Sequence, residues 1–277
     1  MKLVIDSNQL RTQALRDFLG KSRSNFAVLP DFVSMEAYKG NSFETICKSM
    51  SVLSDFPHQV IVLKGSRTMM RLKGRVSGLQ RRLIDEGQTA EFVEFIEKLL
   101  LTMRGQADYR HAIETHGQSA NAHFDQMLGV TSALRDAFPD LNKYTKEERS
   151  LIRSQDPWPK PLADKIFDVV SQLTMISLRD LEVKIPSTVK EASNTFLFRT
   201  TFAIHQLLLL RMAEGQLANF PENKLRNDMV DMAIVAYATF FDGLLSDDKI
   251  VNLMFNEVRT RLWAMFDAEI PSLAGRV

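Results

Sequence analysis

Carboxylates crowd into one stretch late in the sequence, NDMVDMAIVAYATFFDGLLSDDK, from Asn227 to Lys249. Asp228 and Asp231 are three residues apart and share a face if this segment is helical. Ile234, Val235, Ala238 and Phe241 continue from Asp231 at helical spacing, which predicts a helix opened by Asp231 and packed on a sheet. A short apolar run follows and stops at Ser246, Asp247 and Asp248. Acids at the start of a buried helix and at the exit of a strand are costly unless something neutralises them. A divalent cation is one neutraliser. Two plainer roles stay open, because Asp is equally at home as a helix N-cap and in a polar turn.

At the other end of the sequence, Leu3-Val4-Ile5 predicts a buried strand that ends at Asp6-Ser7-Asn8. A helix from Leu10 to Leu19, closed by Gly20, should follow. Asp6 thus stands where a strand hands over to a helix, the edge at which open α/β sheets bind ligands. Capping of that helix by Asp6 or Ser7 is the alternative. Phe26 to Leu29 predicts a second strand, ended by Pro30, with Asp31 or Ser34 capping a helix that carries Glu36 in its first turns. An acid there also suits the helix dipole. Asn41 to Leu53 reads as helix, and Gln59 to Leu63 as a third strand. Strands alternating with helices call for βαβ units and a parallel sheet.

From Gly65 to about Leu217 the periodicity is helical. Lys64, Arg67, Arg71, Lys73, Arg75, Arg81 and Arg82 run without an intervening acid until Asp85. Such a run is either a solvated face or a surface for phosphates. Glu91 to Leu101 and Leu162 to Leu181 read as helices, and the prolines at 139, 157, 159 and 161 mark a long connection from Asp136 to Pro161. Ala192 to Leu217 reads as one long buried helix containing Arg199 and His205, and Ile250 to Phe266 as an amphipathic helix with Trp263 and Phe266 on its apolar side.

With 277 residues, the chain suits one large domain or two modest ones, and its formal net charge of +1 gives no global preference for any partner. The single cysteine, Cys47, excludes an intramolecular disulfide framework and points to a reducing compartment. The opening MKLVIDSN does not read as a signal peptide, and the most apolar run, Leu207 to Leu210, is too short to span a bilayer. A cytoplasmic protein without membrane contact is the expectation. There is no G-x-S-x-G elbow, Walker loop or dinucleotide fingerprint, and Cys47 has no readable catalytic partner. His111, His116 and His123 lie close together without a cysteine, which argues against a structural zinc.

The order of the acids resembles that of the PIN-domain nuclease family. Its members carry Asp-Thr/Ser-Asn after the first strand, a downstream Glu, an Asp opening an Ile-Ala-Ala-type helix, and Thr/Ser-x-Asp after the fourth strand. Here Asp6 opens D-S-N, Glu36 follows, Asp231 begins D-M-A-I-V-A-Y-A, and Asp248 ends S-D-D. Ser7 or Asn8 takes the polar position beside the first acid, and Ser246 the hydroxyl before the last. Asp228 and Asp247 are the alternative acids at their two positions. The resemblance covers residues 1–63 and 220–277, a PIN-like α/β core with a parallel sheet, interrupted by a mainly helical insertion over 64–219.

The resemblance implies a nuclease dependent on Mg2+ or Mn2+, acting mostly on RNA, with Asp6, Glu36, Asp231 and Asp248 as its catalytic acids. Asp6 and Asp248 would ligate the metal, joined by Asp231, Asp228 or Asp247, and the basic run from Lys64 to Arg82 would follow the nucleic-acid backbone. Many members of the family are restrained by an inhibitory partner protein. Two other readings compete. Arg199-x5-His205 loosely resembles the Arg/His motif of the metal-independent HEPN ribonucleases. Alternatively, the helical middle with its Met and Phe content serves as an interaction module or a homodimer interface.

Overall fold

Lys2–Ile5 forms strand β1, and the strands on its two sides come from distant parts of the chain. On one side lie β2 (Phe26–Leu29) and then β3 (Val60–Val62); on the other lies β4 (Gly243–Leu245). All three pairings are parallel, with Leu3 opposite both Ala27 and Gly243, and Val28 opposite Ile61. The fold is therefore α/β with a four-stranded parallel sheet in the order β3-β2-β1-β4. All four carboxyl ends share one edge. The chain steps outward from β1 to β3 and then returns to the far side of β1, so the order reverses between β1 and β4. In open parallel sheets, a crevice forms at the carboxyl edge at that reversal.

The computed structural model describes residues 1–38, 42–106, 108–115, 143–154, 157–216 and 221–271. They fall into two compact units. The first comprises Met1–Thr68, Gln80–Met127 and Phe241–Lys249, and it holds the whole sheet. Its helices include α1 (Gln13–Lys21), α2 (Asp31–Ala37), α3 (Phe43–Ser49), α4 (Ser66–Met69), α5 (Leu79–Leu83) and α6 (Glu86–Met103), α4 and α5 each reaching one residue beyond it. The strands are apolar on both faces, with Val4, Ile5, Ala27, Val28 and Val60 fully or almost fully buried, as expected where helices cover a parallel sheet.

The second unit comprises Met69–Leu79, Leu128–Phe240 and Ile250–Val277. Its described helices are α7 (Lys146–Ser154), α8 (Lys160–Asp180), α9 (Val189–Ser193), α10 (Phe196–Ala213), α11 (Glu222–Ala238) and α12 (Lys249–Phe266), the last beginning one residue outside it. At the centre lies α10, buried almost all round and packed by α7, α8 and α11. A helix apolar on every side belongs in the middle of a bundle. Among the described residues, no helix is long and apolar enough to cross a membrane.

Several local expectations change. The first helix starts at Gln13, capped by Thr12, whose hydroxyl accepts from the Leu15 N–H, and it runs through Gly20 to Lys21. Residues 146–154, expected within a long connection, form α7; Pro159 and Pro161 begin α8 rather than break it, since a proline in the first turn forfeits no helical hydrogen bond. Asp136 and Pro139 lie outside the described residues. Trp263 is exposed, whereas Phe266 is buried against Phe198 and Phe202. The units also run differently from the segments 1–63 with 220–277 and 64–219 that the resemblance implies. Residues 80–127 group with the sheet because α6 packs on β3, and 220–240 group with the helices because α11 lies along α10.

Candidate functional site

Asp6 follows the last residue of β1 and remains in the ladder, its N–H donating to the Leu245 carbonyl at 3.0 Å. The chain then turns through a short 3₁₀ segment, Ser7–Gln9. Asp6 precedes that turn, but its side chain makes no capping hydrogen bond, which removes the plain explanation for an acid there. The side chain is only 5% exposed. Ser246, the residue after β4, lies beside it across the point where strand order reverses, because Ile5 and Leu245 are register partners.

One hydrogen-bond network joins these residues. The Ser246 hydroxyl donates to Asp6 Oδ2 at 2.5 Å, and Asn8 Nδ2 donates to the same oxygen at 2.7 Å. Asn8 Nδ2 also reaches Ser246 Oγ at 3.4 Å, and the Asp248 N–H donates to that hydroxyl at 3.1 Å. Ser246 Oγ thus uses its one hydrogen and both lone pairs. Asn8 Oδ1 accepts from Gln9 Nε2 at 3.0 Å and from the Asp247 N–H at 3.4 Å. Asp6 Oδ1 takes no hydrogen bond from the described residues, although Oδ2 takes two. The carboxylate is held through Oδ2, and Oδ1 is not among the buried atoms left without a partner.

Asp247 and Asp248 are exposed on the same turn, and Ser7 is half-buried within the 3₁₀ segment. Glu36 is half-buried on α2, which packs against that segment, but it occupies the last turn of the helix instead of the first. The helix dipole therefore gives no account of it. The acid in the first turn is Asp31, at the carboxyl end of β2. Its Oδ2 accepts the Ser66 N–H at 2.6 Å and so ties the ends of β2 and β3 together. Asp242 accepts the Lys2 N–H at 2.7 Å, at the opposite end of the strands from Asp6.

Asp228 and Asp231 belong to the second unit, and neither opens a helix: α11 begins after Pro221, leaving both acids in its interior. Asp228 is paired with Arg211 at 3.4 Å, both largely buried. The basic run is divided too. Lys64, Arg67, Arg81 and Arg82 belong to the first unit, Lys64 lying just beyond β3, while Arg71, Lys73 and Arg75 belong to the second. Arg67, Arg71, Lys73, Arg75 and Arg81 are exposed, Arg81 pairing with Glu86 at 3.1 Å.

Arg199 and His205 are core residues of the second unit. Arg199 is fully buried and donates to the carbonyls of Ser193, Thr239 and Glu269, to Asn194 Oδ1 and to Thr239 Oγ1, at 2.7 to 3.1 Å. Its guanidinium lies 3.8 Å from the centre of the Phe240 ring. Burial lowers its pKa to about 9, with the charge of Glu269 opposing the shift. His205 lies 3.3 Å from the Tyr144 hydroxyl, and burial pushes it down to about 4. A guanidinium whose five N–H groups are engaged in this way is a structural tie, and the pair lends the HEPN-like reading no support.

The residues at Asp6 suit a hard cation, since Mg2+ is commonly bound by one or two carboxylates, with waters and phosphate oxygens completing its shell. Asp6 Oδ1 would supply one such ligand, and Asp248 stands on the adjoining turn. Among the described residues, no three His, Cys, Asp or Glu side chains converge closely enough to form a protein-only metal cage. Of the three histidines weighed for zinc, His116 and His123 lie outside the described residues. No family model, curated protein or solved structure matches the chain.

Proposed function

We propose that the first unit is a PIN-like nuclease core that hydrolyses phosphodiester bonds, with RNA as the expected substrate and Mg2+ or Mn2+ as the cofactor. The observation that carries this reading is the buried Asp6 at the strand-order reversal, tied through Oδ2 with Oδ1 left over. When bound, the metal lowers the pKa of a coordinated water and offsets charge on the phosphate. Asp6 and Asp248 would hold it through carboxylate oxygens. Ser246 and Asn8 keep Asp6 in a single orientation. Glu36, on the helix against the Asp6 turn, orients the attacking water. Lys64, Arg67, Arg81 and Arg82 contact backbone phosphates without reading sequence. Asp231 rests on the sequence resemblance alone, and Asp231→Ala tests it separately.

The experiment is cleavage of mixed RNA and single-stranded DNA by the unaltered chain and by Asp6→Asn, with Mn2+ or with EDTA. Cleavage that requires both the metal and Asp6 is the expected result. Cleavage that persists in EDTA, or in Asp6→Asn, would sink the assignment.

A second reading concerns the second unit. Leu173, Met175, Ile176, Ile185, Val189 and Trp263 are all at least 36% exposed. Exposed apolar side chains in such numbers favour a protein-contact role, either in a homodimer or with a restraining partner. Light scattering across a dilution series, for the unaltered chain and for Ile176→Glu, tests the homodimer; a monomer at every concentration argues against it.

A further inference from the structure

Gln9 is fully buried, whereas Asn8 beside it is exposed. A buried amide is costly unless its polar atoms are bonded. Here the amide lies between two named partners. Thr12 Oγ1 donates to Gln9 Oε1 at 3.0 Å, and Gln9 Nε2 donates to Asn8 Oδ1 at 3.0 Å. A side-chain amide turned by half a rotation has the same shape but exchanges donor for acceptor, so its partners decide its direction. Thr12 Oγ1 accepts the Leu15 N–H as the cap of α1, and it stands 3.0 Å from both the Gln9 main-chain oxygen and Gln9 Oε1. The Gln9 NH2 faces Asn8. Asn8 Oδ1 takes the Gln9 NH2 at 3.0 Å and the Asp247 N–H at 3.4 Å, and the Asn8 NH2 faces Asp6 Oδ2 and Ser246 Oγ. A flipped Asn8 would set its own oxygen against the Asp6 carboxylate.

We propose that Gln9 is a positioning residue: acting through Asn8, it commits Asp6 Oδ2 to protein donors and presents Oδ1 as the single oxygen that ligates a divalent cation. The inference rests on the reading of Asp6 as a cation ligand given above. Residues that orient a metal ligand from behind typically account for 10- to 100-fold in affinity.

The test uses the full chain and Mn2+ alone, with binding read from the paramagnetic resonance signal of the free ion. Gln9→Met keeps the length of the side chain and removes both polar atoms; it should weaken Mn2+ binding about 10-fold. Asn8→Ala, at an exposed position, should weaken binding by a similar factor. The double variant should bind no more weakly than Asn8→Ala, because a residue that acts only through Asn8 has nothing to lose once Asn8 is gone. Losses that multiply in the double variant, or unchanged binding by Gln9→Met, would overturn the inference. Failure of the unaltered chain to bind Mn2+ would overturn the reading of Asp6 itself, and with it this inference. A measurement independent of any variant is the nuclear Overhauser pattern of the Asn8 side-chain amide in the unaltered chain. Cross-peaks from its NH2 to the Ser246 Cβ hydrogens are expected; cross-peaks to the Gln9 NH2 in their place mean the opposite orientation and overturn the inference.

Discussion

Asp6 in the first unit and Arg199 in the second are both charged side chains withdrawn from water, and they are held in opposite ways. Arg199 spends every N–H on a carbonyl, an amide oxygen or a hydroxyl, so nothing remains for a ligand. Asp6 is tied on one side only. Burying either charge is costly, and the network around Arg199 answers that cost by satisfying the group completely. The network around Asp6 covers one oxygen and leaves Oδ1 open to solvent. Two buried charges can thus be told apart by what they leave unused, and the residue with capacity left over is the one to test for chemistry.

The comparison breaks if activity and stability do not separate along this line. Asp6→Asn should lower metal-dependent cleavage about 1,000-fold, as loss of a metal ligand removes several kcal/mol of transition-state stabilisation. Its urea midpoint should stay close to that of the unaltered chain. Arg199→Met should show the reverse pattern. Removing the guanidinium takes the donor from the carbonyls of Ser193, Thr239 and Glu269, and a loss of about 4 kcal/mol in urea unfolding is expected.

His205 sharpens the stability side. Its folded pKa of about 4 lies below its ordinary value of 6.5, because burial disfavours the imidazolium. Above pH 6.5 both folded and unfolded chains carry it neutral, and it has no effect. Between pH 6.5 and 4 the unfolded chain takes up a proton that the folded chain refuses, so stability falls by about 3 kcal/mol over that window. Urea unfolding at pH 7, 5.5 and 4 should show the decline, and His205→Gln should flatten it. Gly74→Ala should cost about 2 kcal/mol in the same assay, since an added Cβ would fall 1.7 Å from the Glu191 carbonyl oxygen. Ser246→Ala returns to the first unit with the smallest effect. It should lower cleavage about 10-fold and leave stability within about 1 kcal/mol.

The sheet was legible because its strands are short apolar runs closed by a turn residue. Leu3-Val4-Ile5, Phe26 to Leu29 and the run before Ser246 all fall within the strands observed. Asp6, Asn8 and Ser246 were legible for the same reason, since each lies just past a strand end. Gln9 and Thr12 were not. They act through amide and hydroxyl direction, which has no period and no residue signature; a polar residue just ahead of Leu10, at the point where the apolar pattern resumes, was the only sign. Asp228 and Asp231 lie inside the helix rather than at its start because α11 grows from a cap at Pro221, upstream of both acids. The division into units escaped composition altogether, since it depends on which helices pack on β3 and which on α10.

The pairing of Leu3 with Gly243 has a consequence for the order of events during synthesis. The residues of β1, β2 and β3 leave the ribosome early, yet one side of β1 has no partner strand until residues 243–245 follow. Ser246 comes after those, so the network that ties Asp6 waits for a residue 240 positions further along the chain. A contact of such long range is slow to form and leaves an open strand edge while it waits. Until then Asp6 has neither the Ser246 hydroxyl that orients it nor the Asp248 turn beside it.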